Sequence, residues 1–117
     1  LLKPGGKLVL TAPFCSLTHF APYHFASGFN SYWYHDKLQT AGFTILELTA
    51  NGNYFEFIAQ EIRRINFVAK KYCSRRMGLI QKLAAFILLK MLDVFSKNDA
   101  GSSELLCYGY HVLAQKK

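Results

Sequence analysis

Leu1-Leu2-Lys3-Pro4-Gly5-Gly6-Lys7-Leu8-Val9-Leu10-Thr11-Ala12-Pro13-Phe14 opens the chain, and its reading decides the fold. Proline presets φ at the second position of a turn, and glycine accepts the positive φ that a type II turn needs next. Lys3-Pro4-Gly5-Gly6 therefore reads as a turn. Lys7 to Ala12 follows, short, apolar on both faces and stopped by Pro13. That is the pattern of a buried strand in a parallel sheet. Leu1-Leu2-Lys3, ahead of the turn, reads as the last residues of a helix.

Beyond this strand the segment from His19 to Tyr34 is crowded with rings and punctuated by Pro22 and Gly28, which predicts a loop. Asn30 or Ser31 can cap a short helix running to about Thr40, with Leu38 and Ala41 on its apolar side and Gly42 at its end. Phe43 to Ala50 is a second strand, ended by Asn51-Gly52-Asn53. Tyr54 to about Arg76 reads as a long helix, on the spacing of Phe55, Ile58, Ile62 and Ile65 with Tyr72 continuing the stripe. Met77 to about Phe95 is another helix, apolar around most of its girth, with Gln81, Lys82, Lys90 and Asp93 on a narrower polar side. After a polar loop from Lys97 to Ser103, Leu105 to Ala114 alternates as a last strand. Leu106, Tyr108, Tyr110 and Val112 fall on one face and Cys107, His111 and Leu113 on the other, which predicts a central strand.

Half of the 117 residues are apolar, which suits one packed domain and excludes a disordered chain. The net charge is +7, and Arg63, Arg64, Lys70, Lys71, Arg75 and Arg76 carry six of those charges with no acidic residue between them. Such a stretch is either a solvated helix face or a surface for a phosphate, an anionic lipid or a nucleic acid. Aromatic residues are not interleaved with it as stacking surfaces are, so nucleic acid is disfavoured. Cys15, Cys73 and Cys107 are odd in number and far apart, which indicates neither a disulfide framework nor a zinc site. Reduced thiols in the cytoplasm are the expectation. The start of the chain does not read as a signal peptide. Leu83 to Leu89 is bracketed by Lys82 and Lys90, too short a run to span a bilayer.

Three stretches carry a resemblance. Leu2-Lys3-Pro4-Gly5-Gly6 with the strand after it resembles the turn and fifth strand of class I S-adenosylmethionine-dependent methyltransferases, type 11 in particular. Leu38-Gln39-Thr40-Ala41-Gly42-Phe43 resembles the step of that family into its sixth strand. Tyr108-Gly109-Tyr110-His111-Val112-Leu113-Ala114 resembles its seventh, antiparallel strand. The spacing from His19 to Pro22 is similar to members with a histidine and a proline after the fifth strand.

The resemblance implies an α/β fold, the C-terminal part of a Rossmann-like sheet with strands in the order 5-7-6. Residues 1–50 and 104–117 would be the sheet portion, and residues 54–96 a helical insertion or cap. It also implies S-adenosylmethionine as the cofactor of the whole enzyme. The glycine-rich first turn and the acidic residue that would hold that cofactor are absent, so no cofactor-binding residue is expected in this chain, which by itself would be inactive. In such sheets the ligand sits outside the carboxyl ends of the strands.

Methyl transfer needs alignment of nucleophile and methyl group, helped by a base where the nucleophile carries a proton. His19 and His24 are candidates for that base or for substrate polar contacts, and Phe20 and Tyr23 for lining an acceptor pocket. The alternative for all four is packing within the loop. No residue is singled out as catalytic, and no metal site is expected. The acceptor would be a small molecule, a lipid or a glycan-type group. The competing reading is a non-catalytic interaction module, docked through its basic amphipathic helices on an anionic membrane or a partner. Localisation would then be cytoplasmic, peripheral to a membrane. The sequence leaves the oligomeric state open.

Overall fold

The last stretch of the chain, Gly109–Lys116 (β3), lies in the middle of the sheet. In this computed structural model, which describes residues 2–19 and 21–117, β3 is flanked by β1 (Lys7–Pro13) and β2 (Phe43–Asn51) and runs antiparallel to both. The helices are α1 (Ser31–Thr40), α2 (Tyr54–Tyr72) and α3 (Leu79–Lys97), and a single 3-10 turn spans Ser102–Glu104. The fold is α/β with a small antiparallel sheet. The central place expected for the last strand is the one observed.

Local signals explain most boundaries. The Gly6 amide donates to the Lys3 carbonyl at 2.9 Å and Gly5 has φ +80°, which is the type II turn expected of Pro4-Gly5. Asn30 caps α1 by accepting from the Trp33 amide at 3.0 Å. Asn53 caps α2 by accepting from the Glu56 amide at the same distance. Gly42, just past α1, takes the left-handed φ of +75° that closes many helices.

Several expectations need correction. Leu2 and Lys3 carry no helix, and Leu1 lies outside the described residues. Tyr32, Trp33 and Tyr34, at the end of the aromatic segment, fall within α1, the helix expected from the Asn30 cap. Tyr34, not Ala41, pairs with Leu38 as the buried side of that helix. α2 stops at Tyr72, because Ser74 takes φ +52° and breaks the helical run, so Arg75 and Arg76 lie in the connection to α3. β3 begins four residues later than the alternation suggests, since Tyr108 sits ahead of the ladder and its hydroxyl donates to the Glu56 carbonyl at 2.9 Å.

The core is small. Tyr34 and Leu38 of α1 pack on Cys107, Tyr110, Val112 and Ala114, with Leu8, Leu10, Phe43 and Ile45 around them. Each large side chain so buried contributes about 1.5–3 kcal/mol. Only this face of the sheet is covered. On the other, Val9 is 76% exposed and Thr11, Thr49 and His111 face solvent, so the both-sided burial expected of β1 and β3 is not realised among the described residues. β1 also pairs on one edge alone.

The helices α2 and α3 pair with each other and project from the sheet. Their root is fastened by the Asn53 side-chain amide donating to Ser96 Oγ at 2.9 Å, and by the Tyr54 amide donating to Ser102 Oγ at 3.2 Å. The resulting radius of gyration is 18.2 Å, against about 13 Å for a compact chain of this length.

Two outcomes follow from the core. The buried Tyr34 hydroxyl has no hydrogen-bond partner among the described residues. Tyr34→Phe should therefore leave thermal stability unchanged or raise it, while Tyr34→Ala should cost about 3–5 kcal/mol in denaturant titration. Burial pushes the Cys107 thiol above its ordinary range. An unfolded chain would ionise there first, so this contribution is intact below the unfolded thiol's pKa and is lost as pH rises through the folded value. At mildly alkaline pH a thiol reagent should modify the exposed Cys15 and Cys73 at once, and Cys107 only at the rate of global unfolding.

Candidate functional site

The loop after β1 leaves from the carboxyl end of that strand, beside the carboxyl end of β2. Its base is closed by the backbone. The Phe14 amide donates to the Tyr108 carbonyl, and the Phe29 amide to the Pro13 carbonyl, both at 3.1 Å. Ser16 Oγ donates to the Ser27 carbonyl at 3.0 Å. Gly28 permits this closure: its φ is +139°, and a Cβ there would stand 2.2 Å from the Pro13 oxygen.

Rings anchor both ends of the loop to the core. Phe29 stacks on Trp33 at 4.0 Å, Trp33 meets Tyr34 edge-on at 5.2 Å, Tyr34 meets Tyr110 at 5.9 Å, and Phe14 meets Tyr110 at 5.8 Å. Much of the aromatic density in the sequence is therefore packing. The remainder is at the tip. Tyr23 and Phe25 are exposed, and His19 and His24 lie edge to face at 4.7 Å. His19 Nδ1 is 2.8 Å from the Leu17 carbonyl. A carbonyl only accepts, so in the neutral ring Nδ1 carries the proton and the basic lone pair is on Nε2. Phe20, the fourth candidate of this loop, lies outside the described residues.

The first part of the loop meets α2. Leu17 and Thr18 form one wall of a groove of about 730 Å³ whose other wall is the outer side of α2, with Ile65, Val68 and Tyr72 as its apolar surface and Arg64 and Lys71 at its rim. Arg64 pairs with Glu61 at 2.8 Å. Lys71 lies over the Tyr72 ring at 5.1 Å. His19, Tyr23 and His24 do not line this groove.

The six cations do not form one stripe. Residues seven apart on a helix share a side, so Arg63 falls with Lys70, and Arg64 with Lys71 about 100° further round. Arg63 borders the crevice between α2 and α3, near Glu56 and Asp93. Arg75 and Arg76 flank the connection, around Met77. The periodic stripe expected along α2 is also shorter than it looked: Ala59 is buried against α3, while Ile65 and Tyr72 are exposed.

At the carboxyl end of the sheet a smaller crevice of about 230 Å³ is bordered by Thr11, Pro13, Asn51 and Gly109. No carboxylate lines it. Gly109 is required here, since a Cβ would fall 2.3 Å from the Ala12 oxygen. A glycine between two tyrosines at a strand start was the available signal for such a close approach. Leu17 and Thr18 carry no signal in the sequence. His111 contacts Thr11 Oγ1 at 3.1 Å on the open face of the sheet. Among the described residues no cluster suits a metal ion. Comparison with protein-family models, curated proteins and solved structures finds no match to this chain.

Gly28→Ala should open the base of the loop. The expected result is faster protease cleavage between residues 17 and 26, with a loss of about 1–3 kcal/mol in global stability. Cleavage at the wild-type rate would show that the closure does not hold the loop.

Proposed function

We propose that this chain is the C-terminal portion of an S-adenosylmethionine-dependent methyltransferase and supplies its acceptor side. The supporting observation is the strand arrangement. β3 lies antiparallel between β1 and β2, which run in the same direction, as the resemblance implies for strands five, seven and six. The aromatic loop leaves from the end of the sheet where such folds bind ligands.

The residues present do not fit the cofactor. The crevice at the strand ends offers no carboxylate for a ribose and no glycine-rich turn, so the cofactor would be held by residues outside this chain. What these residues can do is receive an acceptor. The groove between Leu17 and Tyr72 is largely apolar, and at its rim Lys71 stands beside the paired Arg64 and Glu61. Among small-molecule, lipid and glycan-type acceptors, that chemistry favours an amphiphile with an apolar body. His19 and His24 at the loop tip could remove a proton from a hydroxyl or amine acceptor as it is brought in.

Calorimetric titration of S-adenosylmethionine tests the reading on two samples: this chain, and the chain extended by the coding sequence that precedes it in frame. Binding by the extended form alone is expected. Absence of binding by both would overturn the assignment, and equal binding by both would overturn the placement of the cofactor site.

A further inference from the structure

Among the described residues no element covers the outer side of α3. Ala85, Leu89, Leu92 and Ser96 are its least exposed positions, the first three apolar, and they recur at the spacing of one helix side. Leu92 and Ser96 border the crevice shared with α2. On the opposite side Ile80, Leu83, Ile87, Met91 and Val94 recur at intervals of three and four, and each is between 43% and 84% exposed. An apolar stripe of this length is rare on a monomer surface and marks a contact.

Charge indicates what it contacts. From Tyr54 to Lys97 there are nine basic and three acidic residues. Glu61 and Asp93 are already paired, with Arg64 and Lys97. The other seven cations make no ion pair among the described residues. The stripe itself carries no hydrogen-bonding side chain, and a lipid surface requires none. No described helix is long and apolar enough to cross a membrane, which leaves lying on one.

We propose that the α2–α3 hairpin docks on an anionic lipid bilayer, with the Ile80–Val94 stripe sunk below the headgroups and Lys82 and Lys90 of the same helix reaching the phosphates. Long cationic side chains reach outward from a partly sunk helix, so cations flanking the stripe serve as well as cations opposite it. This docking does not rest on the transferase reading, and its test contains no methyl donor.

The test is sedimentation of the full 117-residue chain with vesicles of phosphatidylcholine alone and of phosphatidylcholine with an equal part of phosphatidylglycerol. Partition onto the anionic vesicles should be at least about tenfold stronger and should fall as salt is raised. Ile87→Asp should lower it about tenfold or more with the helical circular dichroism unchanged, since Ile87 is exposed. Paired Lys82→Glu and Lys90→Glu, exposed positions of α3 itself, should remove the preference for anionic lipid, and this pair decides the question if Ile87→Asp loses helix. Equal partition onto both vesicle types would overturn the proposal. So would absence of partition, including the case where light scattering shows a self-associated species that Ile87→Asp separates, because a second copy of the chain would then cover the stripe.

Discussion

The two hydrogen-bond ladders of β3 hold the chain together, because among the described residues no other strand pairs with more than one neighbour. β1 and β2 do not touch each other, and each keeps its place only through its register with β3. That register points Tyr110, Val112 and Ala114 to one side, where Tyr34 and Leu38 complete the core. Loop closure depends on it too, since Phe14 bonds to Tyr108 and Phe29 to Pro13 at the ends of the same ladder. Even the hairpin is attached there, through the hydroxyl of Tyr108. β1 meets β3, its partner among the described residues, only across most of this chain. Contacts so distant in sequence form slowly.

Much of this was legible. Pro4-Gly5, Asn30, Gly42 and Asn53 act within a few residues of themselves, so their chemistry is readable without the rest of the chain. The central place of β3 was also read correctly, though from apolar character on both faces, of which only one is buried among the described residues. What escaped the sequence depends on contacts far along the chain. Tyr108 continues the alternation of the strand but lies ahead of the ladder, its hydroxyl on α2. Lys70, Lys71, Arg75 and Arg76 read as one basic run, yet the positive φ of Ser74 divides it. The uncovered face of the sheet was not foreseen either, because Val9 and Leu113 look the same whether or not something covers them.

The same contrast holds for the candidate site. His19, Tyr23 and His24 were found because residue types that do chemistry stood out in a loop. Their placement at an exposed tip rather than within the groove came from the closure at Gly28. Leu17 and Thr18, which do form the groove, are ordinary residues whose role comes only from where the loop ends.

The matched lengths of the two projecting helices constrain how this part of the chain can vary. Both have 19 residues, and their open end is fixed by the bond between Asn53 and Ser96. Removing one residue from either would rotate everything beyond it by about 100° and break the facing of Ala59 and Leu92. Length changes are therefore tolerable in two forms: whole turns lost or gained in both helices together, or residues inserted between Cys73 and Gly78. The hairpin can vary in reach between related sequences, and its rotational setting on the sheet stays fixed.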